Sequence, residues 1–192
     1  MLEHRLDISH VFTTRAWEDP RDASVAGVDM TRLKYSGGSQ PHWYLELAER
    51  PPKERTTAEV VSYGLVLDTT EDGAPDYLVG IEDHPTPPGD VLTGNQPLPP
   101  HIFRVWVTDL ATGKTDEQIG PSYGYPIEFG HPDERGNGAV MWFTFLGDSA
   151  PADMEPRSVR FYAWSSLAND GEVVARDVAP DEGWMTVGTA DR

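Results

Sequence analysis

Asp68, Thr70, Asp72 and Asp76 stand at positions 1, 3, 5 and 9 of one short acidic segment, with Gly73 at position 6. Oxygen side chains at alternate positions can wrap a hard cation, and a glycine permits the tight turn this requires. Calcium suits the set better than zinc, because neither His nor Cys contributes. Thr70 stands where a carboxylate would bind more strongly, and position 12 is Val79 rather than a bidentate Glu. The same residues also describe a plain hairpin turn built on Asp72-Gly73, and both readings stay open. A second acidic group, Asp19, Asp22 and Asp29 with Asp177 and Asp181, gathers only if the two ends of the chain lie side by side. Otherwise these are turn and cap aspartates in solvent.

A different chemistry is carried by aromatic residues. Phe103, Val105 and Val107 alternate with Ile102, Arg104 and Trp106; Val159, Phe161 and Ala163 alternate with Arg160, Tyr162 and Trp164; Met141, Phe143 and Phe145 alternate with Val140, Trp142 and Thr144. A sheet buried on one side should be polar on the other, yet these three segments are apolar or aromatic on both. Arg104, Trp106, Trp142, Arg160, Tyr162 and Trp164 are therefore the expected ligand-binding residues. Indole and phenol rings would stack on a sugar ring, each burying on the order of 150–250 Å², while the arginines would bond hydroxyls. The competing expectation is that long proline-rich connections fold over the rings as a second small core. A register slip of one residue would exchange the two faces.

Nucleophile motifs are missing. Thr112-Gly113-Lys114-Thr115 resembles the end of a phosphate loop, but Thr108 stands where its first glycine belongs, and the segment reads as a hairpin turn. There is no Gly-x-Ser-x-Gly elbow and no cysteine. The six histidines are too scattered for a local zinc motif. His84 beside Glu82 and Asp83, and His131 near Asp133 and Glu134, are the only ones with acidic neighbours worth naming; such loop histidines are ordinarily solvated.

The elements that must position these residues are strands. Runs alternating with period 2 occur at 42–47, 61–67, 77–81, 103–107, 141–145 and 159–163, with weaker ones at 30–35 and 172–175. No segment shows a helical stripe, and Pro151–Pro156 allows at most a short helical turn. The 18 glycines and 17 prolines among 192 residues exceed the usual combined share of about 12%. The expected fold is all-β: a helix-poor, jelly-roll-like antiparallel β-sandwich of about eight or more strands. It would form one domain over 17–187, with an extension at 1–16 and a tail at 188–192. The connections 84–100 and 110–138 read as long functional or rim loops. Fifteen Lys and Arg against 32 Asp and Glu give a net charge of −17, which argues against nucleic-acid partners. No apolar run approaches the roughly 20 residues of a spanning helix. The first residues lack a secretory signal, so the expected location is extracytoplasmic if a signal was removed and cytoplasmic otherwise.

Three short motifs carry a family resemblance. Asp19-Pro20-Arg21-Asp22-Ala23 followed by Val28-Asp29-Met30, the turn Leu67-Asp68 to Asp76-Tyr77, and Asp177-Val178-Ala179-Pro180-Asp181-Glu182-Gly183 together resemble bacterial extracytoplasmic β-sandwich modules related to the DOMON and family-9 carbohydrate-binding domains. Arg21 replaces a usual glycine, and Thr70 a common acid. The resemblance, over residues 17–185, implies a secreted non-catalytic module, possible calcium, and a carbohydrate or other neutral or cationic surface as partner. Two alternatives stand beside it. One is a cyclase- or lyase-type β-barrel enzyme with an aromatic-lined cavity; the other is a structural protein of a virion or appendage.

Overall fold

The structure, a computed structural model, describes residues 14–36, 42–51, 55–86, 91–92, 96–97, 101–120, 127–130, 140–145 and 158–188. Residues 1–13, the expected turn at Pro151–Pro156, and the group His131, Asp133 and Glu134 lie outside them.

Fourteen strands are described: β1 (Thr14–Glu18), β2 (Met30–Ser36), β3 (His42–Leu47), β4 (Glu59–Asp68), β5 (Tyr77–Pro85), β6 (Val91–Leu92), β7 (Gln96–Pro97), β8 (His101–Asp109), β9 (Lys114–Gly120), β10 (Ile127–Gly130), β11 (Val140–Phe145), β12 (Ser158–Asn169), β13 (Glu172–Ala179) and β14 (Met185–Gly188). Two antiparallel sheets result. The smaller runs β1-β2-β3-β11-β10; the larger runs β13-β12-β4-β5-β8-β9, with β14 also on β12; β6 and β7 form a separate ribbon. The expected all-β sandwich is what forms, and no helix long and apolar enough to cross a membrane occurs among the described residues.

Alternation decides the faces. Tyr63, Leu65 and Leu67 of β4, Val79 and Ile81 of β5, Phe103 and Val105 of β8, and Phe161 and Ala163 of β12 are buried against Leu33, Trp43, Leu45 and Met141 of the smaller sheet. Trp17 and Trp43 both set their rings edge-on to Phe161, with centroids 5.6 and 6.3 Å away, a favourable aromatic arrangement. Two hydroxyls on the inner face bond to backbone. The Tyr63 hydroxyl donates to the Gly27 carbonyl at 3.2 Å, and Ser165 donates to the Val28 carbonyl. Asp83 continues the inner row of β5, fully buried, and pairs with a guanidinium that is itself only 2% exposed, that of Arg55.

The stretch 110–138 is not one long connection. Gly113 N–H closes the β8–β9 turn onto the Asp109 carbonyl at 2.8 Å, so Thr112-Gly113-Lys114-Thr115 is a hairpin turn. β9 then pairs with β8 along its length, from Asp109 opposite Lys114 to Phe103 opposite Gly120. β9 and β10 both lie at sheet edges.

Candidate functional site

One line of residues crosses the larger sheet on its outer face. Antiparallel registers place Val178 of β13, Trp164 of β12, Gly64 of β4, Gly80 of β5, Trp106 of β8 and Glu117 of β9 side by side. The two central glycines leave a trough, and the indoles from either side lie over it. A Cβ on Gly64 would meet Trp164 Cε2 at 2.3 Å, and one on Gly80 would meet Trp106 Cζ2 at 2.2 Å. The two rings stack on each other, with centroids 6.2 Å apart and planes 27° from parallel. Each Nε1 is buried, without a hydrogen-bond partner among the described residues. The N–H edge of each ring is thus turned away from water, and what remains accessible is hydrocarbon.

Polar groups flank the pair on the β5–β8–β9 side. Arg104 gives Nε and Nη2 to Glu117 at 3.0 and 2.6 Å and Nη1 to Glu82 at 3.2 Å. Hydrogen bonding to Glu117 and then Glu82 raises the Arg104 pKa further, against the opposing effect of burial. His84 Nε2 lies 3.1 Å from Glu82. On the other flank, the Tyr162 ring packs at 5.1 Å on Trp184, a residue that alternation does not single out because it precedes its strand. Arg160 sits 3.8 Å from buried Asp68.

The expected set is therefore divided. Arg104, Trp106, Arg160, Tyr162 and Trp164 share the outer face of one sheet, whereas Trp142 belongs to the other, paired with Tyr44 of β3. The six expected ligand residues therefore do not all lie on one sheet; the Trp142 side chain lies outside the described residues. Sequence reasoning also passed over Gly64 and Gly80. Their signal was present, since glycine inside an apolar strand marks the close approach of another group.

The acidic turn between β4 and β5 is wired to itself. Asp76 Oδ2 accepts from Thr69 N at 2.7 Å, Thr69 Oγ1 at 3.0 Å and Thr70 N at 2.9 Å. Asp72 accepts from Ala74 N at 2.8 Å and Asp68 from Gly73 N at 2.9 Å. Burial pushes the Asp76 carboxyl up, but the Thr70 and Thr69 donors outweigh it and hold the group below its usual range. Glu71, at φ +60°, and Gly73, at φ +90°, are the turn's two positive-φ residues. Asp68, Asp72 and Asp76 thus cap the turn's own backbone, while Asp68 Oδ1 is buried without a hydrogen-bond partner among the described residues.

The carboxylates that converge are those at the two ends of the chain. Oxygens of Asp19, Asp22 and Asp177 lie within 4.8 Å of one another, the one such group among the described residues. Asp177 Oδ2 accepts from Met30 N at 2.6 Å, which binds β13 to the start of β2. Asp29 accepts from Asp22 N and Ala23 N at 3.2 and 3.3 Å, folding the incoming loop onto the same place. Burial, then the charges of Asp177, Asp181, Asp22 and Asp29, push the Asp19 carboxyl up to about 7. Burial first, opposed by its two backbone donors and assisted by Asp22 and Asp29, takes Asp177 to about 6. A hard cation would relieve this repulsion through oxygen ligands.

A pH dependence follows. Both carboxyls titrate near 3.8 when unfolded and higher when folded, so the folded state binds their protons more tightly. The stability they contribute is complete below about pH 4 and is lost as pH rises through 6 and 7. In a chelator, the melting temperature is expected to fall between about pH 5 and pH 8, and Asp19→Asn to flatten that slope. If these oxygens hold a cation, millimolar calcium would raise the melting temperature more at pH 8 than at pH 5, because protons compete for the same oxygens. Thermal melts across this window check it; a calcium effect that is absent, or equal at both pH values, would remove the cation from consideration.

No family model, no curated protein and no solved structure matches this chain.

Proposed function

We propose that this chain is a non-catalytic β-sandwich binding module that holds a saccharide on the outer face of its larger sheet. A cation at the Asp19–Asp22–Asp177 junction would fasten the two ends of the domain. The observation that carries the reading is the stacked pair Trp106 and Trp164 over the Gly64–Gly80 trough. Two strand-interior glycines set beneath two indoles hold flat hydrocarbon at the surface on rigid strands, which suits the apolar face of a pyranose. With both indole N–H groups turned inward, stacking supplies affinity and the hydroxyls are left to Arg104, Glu82 and Glu117. The likeness of the Asp19–Met30 and Asp177–Gly183 motifs to family-9 carbohydrate-binding and DOMON modules supports the same reading, as does the meeting of those two motifs in space.

The test is titration calorimetry, with indole fluorescence, against a panel of neutral, cationic and anionic oligosaccharides. Trp106→Ala and Trp164→Ala are each expected to weaken binding about tenfold or more, since one lost ring contact of about 1.4 kcal/mol corresponds to a factor of ten. Near-UV circular dichroism verifies that the variants remain folded. A folded wild-type protein that responds to none of the panel overturns the proposal.

A further inference from the structure

Charged groups stand beside the indole pair. Glu82, Arg104 and Glu117 have side chains 23%, 36% and 44% exposed and form one continuous network. It holds two carboxylates against one guanidinium, and Glu117 stands directly opposite Trp106 in the β8–β9 register. His84 Nε2 also lies 3.1 Å from Glu82, so with that imidazole neutral the Trp106 end of the trough carries surplus negative charge within reach of a ring stacked on that indole. At the opposite end of the line stands the exposed Val178, opposite Trp164, with Arg176 two residues along β13 opposite Ser166. The whole chain adds a net charge of −17, which attracts cations and repels uronates. An ammonium over an indole face gains about 0.5–2 kcal/mol and gains again from carboxylates at its rim.

Resting on the saccharide reading above, we infer that the face selects amino sugars, with the ammonium of one unit lodged beside Trp106 against Glu117 and Glu82. The hydrocarbon face of that unit lies on the indole pair, and Arg104 holds both carboxylates in place.

The experiment is calorimetry at about pH 6 and about 150 mM salt, where long-range attraction is screened. The probes are a glucosamine hexamer, an N-acetylglucosamine hexamer, a galacturonate hexamer and a lysine hexamer. The glucosamine hexamer is expected to bind about tenfold more tightly than its neutral acetylated counterpart. Glu117→Gln should cut that ratio to about threefold or less while leaving the acetylated hexamer unchanged, and Glu49→Gln, an exposed acid elsewhere, should keep the ratio. Equal affinity for the two hexamers, or tighter binding of galacturonate, overturns the inference while leaving a saccharide site. Lysine hexamer binding as tightly as glucosamine hexamer, and indifferent to Trp106→Ala, also overturns it, as general attraction to an acidic protein. Failure of all four probes, with the wider panel negative, overturns the saccharide reading itself.

Discussion

Gly64→Ala is expected to destabilise the fold by about 3 kcal/mol, the upper range for adding a methyl where there is no room. The new Cβ would lie 2.2 Å from the Val79 carbonyl oxygen and 2.3 Å from Trp164 Cε2. The first of these contacts is backbone of the paired strand and cannot swing aside. Gly80→Ala differs in kind: its nearest neighbours are all atoms of the Trp106 ring, from 2.2 Å outward. It should cost less, about 1–2 kcal/mol, chiefly by pushing that indole out of the trough. The pair makes a sharp test by urea unfolding. Trp106→Ala should relieve most of the penalty of Gly80→Ala, whereas Trp164→Ala should leave most of that of Gly64→Ala, because the carbonyl remains. A Gly80→Ala variant as stable as the parent would mean that the Trp106 indole does not lie in the trough, and the proposed ligand face would go with it.

Asp83→Ala is expected to cost about 3–5 kcal/mol, the range for breaking a buried ion pair from one side. The Asp83 side chain is fully buried and that of Arg55 is 2% exposed, so the substitution leaves a guanidinium charge inside the sandwich. The pair stands at one end of the inner face, where β5 runs on from Val79 and Ile81 to Asp83. Replacing both partners together, as Asp83→Leu with Arg55→Met, should recover most of the loss, since apolar groups of similar volume need no charge partner. Equilibrium unfolding of the single and double variants measures this. A single variant within about 1 kcal/mol of the parent would show that water reaches the pair.

Period-2 alternation was enough to read β4, β5, β8 and β12 of the larger sheet and the side their residues take. Phe103, Val105, Phe161 and Ala163 turned inward, and Trp106 and Trp164 outward, because a strand's two faces follow from its own covalent geometry. The gathering of acids from both ends of the chain was legible as a possibility, through Asp19, Asp22, Asp29, Asp177 and Asp181. The edge strands β9 and β10 were not legible: in Lys114–Gly120 polar residues dominate, since an edge strand needs no apolar alternation, and Ile127–Gly130 is only four residues long. Spacing also left the acidic turn open, since it places Asp68, Asp72 and Asp76 at ligand positions whether their oxygens face a cation or their own backbone amides. Above all, strand order was decided only by the tertiary structure. Placing β4 and β5 between β12 and β8 brings Trp164 and Trp106 together over two glycines, and placing β11 beside β3 sends Trp142 to the other sheet. Alternation is a property of each strand alone, while neighbourhood in a sheet is set by non-local pairing and the packing of two whole faces, which no single segment encodes.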